Sequence, residues 1–239
     1  MSIRTLSILI PCFNEENTIV PVLKKIMEAE CGLNKEIIIV NDGSSDKTAT
    51  VIEHFIQLNP EVNIRYLLNE KNRGKGHSIQ VAIQSATGEI VIIQDADLEY
   101  NPLEYLKLLK PIIDGYADVV YGTRFKGGEA HRVLFFFHTI GNKFLTFLSN
   151  LFTGLNLSDM ETGYKMFKTE IIRDIKLKEK RFGFEPEVTA KISKIKKIKI
   201  YEVGISYYGR TYDEGKKINW KDGFRAIYCI LKYNLFSRK

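Results

Sequence analysis

The chain has 239 residues, 44% of them hydrophobic and 11% aromatic, which is enough apolar content for a buried core and excludes a disordered or fibrous chain. A formal charge of +6 and a pI near 9.0 point to an anionic partner, whether nucleic acid, an anionic membrane surface or a phosphorylated small molecule. The three cysteines, Cys12, Cys31 and Cys229, lie far apart without a CxxC pair, which argues against a disulfide framework and a zinc site and fits a reducing compartment.

The opening MSIRTLSILIPCFNEEN is too briefly apolar for a signal sequence and reads as a first strand, so the expected location is cytoplasmic. Residues 5–10, 36–40, 63–68, 89–93 and 117–121 are short β-branched runs without polar alternation, as expected of strands covered on both faces. Between them, Ile19, Val22, Leu23, Ile26 and Met27 share one helical face, and Val51, His54, Phe55 and Leu58 another. This alternation predicts an α/β fold with a mostly parallel central sheet flanked by helices, and ligands at the carboxyl ends of its strands. Polar residues collect at those ends: Pro11 to Glu15, Asn41 to Ser44, Asp95 to Asp97, and Gly122 to Arg124.

Residues 124–130 (RFKGGEA) read as a mobile loop. From His131 to Leu157 the pattern is helical and rich in phenylalanine, interleaved with His131, Arg132 and Lys143. Two readings stand: a core helix pair, or a segment lying on a bilayer surface with its apolar face down. A helix is predicted to follow FGFEPEVTAKI, a strand to cover KIYEVGISYY, and an amphipathic helix to run from about Asn219 to Leu235, which complete a C-terminal part of helical and short β elements. No stretch reaches the ~20 apolar residues that span a bilayer. Neither a repeat nor a composition break marks a second domain, so residues 1–239 are expected to form one.

The run IVIIQDADL ends an apolar strand on two carboxylates one residue apart. Their repulsion is relieved best by a hard divalent cation such as Mg²⁺ or Mn²⁺, which prefers carboxylate oxygens and completes its shell with water and phosphates. The alternative is that Asp95 and Asp97 are turn or cap residues. There is no GxxxxGK[ST], and the third glycine of a dinucleotide fingerprint in NRGKGHSI would fall at Ile79. Gly74 and Gly76 instead suit a tight turn, with Lys75 and the following helix N-terminus open to an anion. No GxSxG elbow occurs, and the four histidines are scattered.

SILIPCFNEENTI, EIIIVNDGSSDKT and NEKNRGKGHSIQVAIQSATGEIVIIQDADLEYNP, in this order, resemble the N-terminal domain of family 2 glycosyltransferases of the GT-A, Rossmann-like fold. YGTRF, DMETGYKMF, FGFEPEVTAKI and ISYYGRTYDEGKKI are similar to the branch of dolichyl-phosphate mannose synthases and polyprenyl-phosphate glycosyltransferases. The resemblance implies a nucleotide-sugar-binding half over 1–125 and an acceptor-binding half over 126–239, with 131–157 the candidate membrane-surface segment. It implies that Pro11, Phe13, Glu15 and Asp42 line the nucleoside pocket, that Asp95 and Asp97 hold Mg²⁺ or Mn²⁺, and that Arg210 and Lys216 clamp the diphosphate. Lys75 joins the donor-binding set, and Glu99 stands where relatives often carry a glutamine as a further metal contact.

In that branch the nucleophile is a phosphate oxygen, which needs no general base, and Arg124 and Arg132 are the candidates to position it. A sugar-hydroxyl acceptor would need a carboxylate base, with Asp159, Glu185 or Glu187 available. The expected activity is therefore inverting transfer of glucose or mannose from a UDP- or GDP-hexose to a polyprenyl phosphate at the cytoplasmic membrane face, with Asp97, Arg124 and Arg132 at the reacting centre. A membrane protein partner is compatible with this reading, and a nucleic-acid partner is not expected, because the basic residues are scattered and the clefts acidic. A sugar nucleotidyltransferase would need a Gly-rich basic loop after the first strand, where this chain has PCFNEEN.

Overall fold

The computed structural model describes residues 3–236 apart from 129, 131, 134 and 211–219, and describes Trp220 and Lys221 by their backbone alone. Lys216 and His131 thus lie outside the described residues. A seven-stranded sheet in the order β3-β2-β1-β4-β6-β5-β7 organises the molecule. The strands are β1 (Thr5–Cys12), β2 (Asn34–Asn41), β3 (Ile64–Leu68), β4 (Ile90–Ile93), β5 (Val119–Thr123), β6 (Lys165–Lys168) and β7 (Ile200–Gly204).

All neighbours run parallel except β6, which lies antiparallel between β4 and β5. That one reversal shapes the site. The carboxyl ends of β1, β2, β4, β5 and β7 share one sheet edge, and because β6 runs backwards its start at Lys165 lies at the same edge, paired with Tyr121. The segment Asp159–Tyr164, which feeds β6, is thereby delivered beside the Asp95–Asp97 turn.

Successive residues of the strands alternate between two cores, as the pleat requires. Leu6, Ile8 and Ile10 meet α1 (Ile19–Glu28), α2 (Thr48–Leu58) and α4 (Tyr105–Ile113) on one face. Leu9, Ile38 and Val40 meet α3 (Lys75–Ser85), α5 (Phe136–Thr153), α6 (Thr169–Asp174), α7 (Phe184–Ile192) and α8 (Trp220–Leu231) on the other. In α1 the buried residues Ile19, Val22, Leu23 and Ile26 are the stripe that its periodicity predicts; each contributes roughly 1.5–3 kcal/mol of burial.

Two expectations change. Residues 124–128 do not stand off as a linker: Arg124 is buried, and Gly127 (φ +111°) lies against Gly204 at the end of β7. The aromatic segment forms one helix, α5, and not a core pair. Only Thr146 and Ser149 are buried along it, while Phe137 is 81% and Phe147 64% exposed.

Candidate active site

The loops after β1 and β2 are tied together into one wall. Asn14, in the left-handed region at φ +50°, donates its N–H to Ser44 Oγ (2.9 Å) and accepts from the Ser45 N–H (2.9 Å). The Glu15 N–H donates to Thr48 Oγ1 at 2.9 Å. Pro11 and Phe13 are half-buried on this wall, and Glu15 is buried.

Asp42, at the end of β2, has both oxygens taken: Oδ1 accepts from Asn69 Nδ2 (2.7 Å) and the Arg73 N–H (3.0 Å), and Oδ2 from the Gly74 N–H (2.6 Å). It therefore shapes the loop that leads into α3. That loop also corrects the expectation of an anion site at the start of α3. Gly74 (φ +99°) and Gly76 are required because a Cβ at either would overlap the backbone of Glu179–Lys180, and Lys180 O accepts the His77 N–H.

Lys75 turns away from the helix start and into the site. Its Nζ lies 2.9 Å from Asp95 Oδ1 and 3.3 Å from Glu185 Oε1. Burial would lower its pKa, but Asp95 and Glu185 outweigh burial and hold it above the usual lysine value.

The backbone turns sharply after β4, with Leu98 at φ +64°, a conformation rare for a branched residue and concentrated at functional sites. Both aspartates thereby face the cleft. The Asp97 carboxyl is pushed up to about 7, first by burial and then by Asp95 and Glu99, with Arg210 opposing. Asp97 Oδ2 lies 3.2 Å from Arg210 Nη2, and the same guanidinium reaches Glu15 Oε1 at 3.2 Å and Oε2 at 3.3 Å. Arg210 thus bridges the wall of the nucleoside side to the aspartate turn.

Glu99 behaves differently from the expected metal contact. Its Oε1 accepts the Arg210 N–H at 2.7 Å and its Oε2 the Tyr207 hydroxyl at 2.8 Å, so it anchors the segment that carries Arg210. Among the described residues no three His, Cys, Asp or Glu side chains are arranged to hold a metal ion. The donor set that remains, two hard carboxylates relieved at present by Lys75 and Arg210, suits a cation that takes other ligands from water and phosphate. Asp95 and Asp97 therefore fit Mg²⁺ or Mn²⁺, and Glu99 does not join them in this geometry.

Arg124 is locked in place. Its Nε and Nη2 each donate at 2.7 Å to the buried Asp159, its backbone N–H adds a third bond at 3.0 Å, and its guanidinium lies 5.1 Å from the centre of the Tyr207 ring. One edge of the fork, Nε with Nη2, is committed to Asp159 and uses two of the five guanidinium N–H donors. Arg132 donates from Nη1 to Gly209 O at 2.8 Å, and its backbone N–H to Tyr207 O at 2.8 Å. Arg124 and Arg132 both hold the segment 207–210, whose Arg210 pairs with Asp97, and Arg132 stands shortly before the exposed start of α5 in the chain.

Sequence reasoning missed Glu161 and Lys165. Both belong to DMETGYK, whose Asp159-x-Glu161 spacing repeats that of Asp95-x-Asp97 just before another apolar strand. Lys165 is fully buried, which no composition rule for lysine would suggest.

Over residues 7–176 the sequence matches the family described as Glycosyl transferase family 2. The chain belongs to glycosyl transferase family 2. It is therefore a glycosyltransferase, on the α/β scaffold that its strand order shows. An uncharacterised protein of Methanocaldococcus jannaschii is 30% identical over 88% of this chain and 93% of its own length. An undecaprenyl-phosphate 4-deoxy-4-formamido-L-arabinose transferase of Photorhabdus laumondii is 28% identical over 90% of this chain, and a dolichol-phosphate mannosyltransferase of Pyrococcus furiosus is 25% identical over 95%. The chain spans 63% and 64% of the lengths of those two transferases. Glucosyl-3-phosphoglycerate synthase of Mycobacterium tuberculosis, crystallised with Mn²⁺, UDP and phosphoglyceric acid, shares the fold with a TM-score of 0.71 at 20% identity, over 99% of this chain and 80% of its own.

Proposed function

We propose that this glycosyltransferase moves a glucose or mannose unit, with inversion, from a UDP- or GDP-hexose to a polyprenyl phosphate at the cytoplasmic face of a membrane. The observation that carries the reading is that Arg124 and Arg132 hold the segment whose Arg210 pairs with Asp97, and that Arg132 leads within the chain into the exposed apolar helix α5. An acceptor with an anionic head and a hydrocarbon tail matches that order of surfaces. The relatives named for undecaprenyl and dolichol phosphate act on acceptors of this chemistry.

In this reading the wall of Pro11, Phe13 and Glu15 receives the nucleoside. Asp95 and Asp97 hold Mg²⁺ or Mn²⁺, which when bound neutralises charge on the leaving diphosphate. Arg210 exchanges Glu15 and Asp97 for the diphosphate, and Lys216 belongs to the same clamp. Arg132 positions the acceptor phosphate, and Arg124, fixed by Asp159, holds Tyr207 and adds its charge. A phosphate oxygen forms the new bond to the anomeric carbon as the bond to the diphosphate breaks, and the electron pair leaves with the nucleoside diphosphate. No proton has to be removed from the nucleophile.

Two of the three carboxylates that could serve a hydroxyl acceptor are committed inside the protein: Asp159 is held by Arg124, and Glu187 accepts from the Lys178 and Glu179 N–H groups and pairs with Lys191, whereas Glu185 keeps one oxygen without a partner. Seating on a membrane falls to α5. Phe136, Phe137, Phe144 and Phe147 face outward from it, and no helix among the described residues is long and apolar enough to cross a membrane. The test is Arg132→Ala: a polyprenyl phosphate KM raised about tenfold or more, with nucleoside diphosphate affinity unchanged, supports the reading. Unchanged acceptor kinetics would count against it.

A further inference from the structure

The segment that feeds β6 brings a second group of charges to the site, and the roles above leave it unused. Glu161 Oε1 and Glu185 Oε2 are both buried and have no hydrogen-bond partner. Glu185 is 5% exposed, and its other oxygen meets Lys75, which in turn holds Asp95. The two segments meet at Tyr121, whose hydroxyl bonds Thr189 Oγ1 (2.9 Å), which in turn donates to Glu185 O (2.8 Å), and the Glu161 carboxyl is pushed up to about 8 by burial and then by Glu185. Lys165 stands beside them over the Tyr121 ring, at 5.0 Å, and donates to Thr162 O. Its ammonium is pushed down to about 8 by burial, against the pull of Glu185, Glu161 and Asp159.

A buried carboxylate oxygen without a donor costs about 1–3 kcal/mol, more when charged. Two of them next to a substrate cleft are hydrogen-bond acceptors held ready for donors the chain does not supply. A further cation is disfavoured, because Lys75 and Lys165 already occupy the surroundings. An anion is disfavoured by the carboxylates themselves. A neutral polyol offers O–H donors and no charge. The place also fits: through Lys75, Glu185 is one side chain removed from Asp95, and the part of a donor attached to its diphosphate is the sugar.

We propose that Glu161 and Glu185 form the hydroxyl-recognition floor of the donor-sugar pocket, which takes a neutral hexose and turns away a uronic acid. This rests on the nucleotide-sugar reading above. Each unpartnered oxygen accepts one sugar hydroxyl. A donor that lacks the hydroxyl strands the oxygen again, and a uronate brings its own negative charge into a buried site already lined by two acidic side chains.

Equilibrium titration with Mn²⁺ separates the two ideas. UDP, GDP, their glucose and mannose conjugates, the matching deoxy-hexose conjugates and UDP-glucuronate are titrated into the wild-type protein, Glu161→Ala and Glu185→Gln. The expected result is equal affinity for the nucleoside diphosphate in all three proteins, within about twofold, and a gain of about tenfold on adding the hexose in the wild type alone. Glucuronate gives no gain. The deoxy donors carry the same test on the unmodified protein, so a variant that fails to fold does not decide the matter. Retention of the gain in both variants, or glucuronate bound as tightly as glucose, overturns the proposal. Failure of every nucleoside diphosphate to bind would instead overturn the proposed function, and the inference with it.

Discussion

Replacing Asp159 by asparagine asks whether Arg124 is held by the protein or kept free for a ligand. Arg124 is 9% exposed and Asp159 0%, and the carboxylate accepts three bonds of 2.7, 2.7 and 3.0 Å from the one residue. Removing one partner of such a pair leaves an uncompensated buried charge and costs about 3–5 kcal/mol. At about 2–4 °C per kcal/mol for a chain of this size, the melting temperature should fall by roughly 6–20 °C. The double substitution Arg124→Met with Asp159→Leu removes both charges and should cost less than either single change, a coupling of about 2 kcal/mol or more in a double-mutant cycle. Urea denaturation of the wild type, Arg124→Met, Asp159→Leu and the double measures all four corners. Arg124→Lys should behave as a loss, because an ammonium cannot reproduce the bidentate fork. A fall below about 1 kcal/mol for Asp159→Asn would refute the reasoning and return Arg124 to the acceptor site.

Three further outcomes follow from the same geometry. Asp97 has a folded value near 7, above the ordinary 3.8, so its ionised form opposes folding above neutrality and has no such effect below pH 4. Asp97→Asn should therefore stabilise the metal-free protein at pH 8 by on the order of 2 kcal/mol relative to its effect at pH 4, while abolishing transfer; equal melting shifts at both pH values would contradict this. Glu179 is held down at about 2, burial being outweighed by Tyr233, Arg225 and Lys232, so the stability it contributes is complete above about 4.5 and is lost as pH falls toward 2. Glu179→Gln should lose roughly 2 kcal/mol at pH 7 and show a flatter melting curve against pH below 5, read by circular dichroism. Gly163→Ala places a methyl group against Asp95 Oδ2 and the Tyr100 ring; turnover should drop at least about tenfold with the fold retained, since Asp95 is pinned by Lys75 and cannot retreat freely.

Much of this site was legible in the sequence because parallel strands buried on both faces read as uninterrupted apolar runs. Every such run ends where polar residues begin, which is why Glu15, Asp42, Asp95, Asp97 and Arg124 were found together. What escaped was the consequence of one reversed strand. KMFK is too short to announce itself as β6, and only its antiparallel insertion between β4 and β5 brings Glu161 and Lys165 to the edge that carries the aspartates. Side-chain pairing was equally invisible. The sequence offers Arg124 and Glu99 as ligands for substrate or metal, whereas in the fold Asp159, Tyr207 and the Arg210 backbone take them first. For α5 the pattern showed amphipathicity without saying which face is covered; the bare phenylalanines settle that.

The most direct test of the whole account is transfer of labelled sugar from UDP- and GDP-hexoses into an organic-extractable product, with the purified protein, a short polyprenyl phosphate and Mn²⁺ or Mg²⁺. Extractable label from one donor, lost when EDTA is added, is the expected result. A protein that binds nucleoside diphosphate yet labels no lipid from any donor, and instead labels a saccharide, would contradict it.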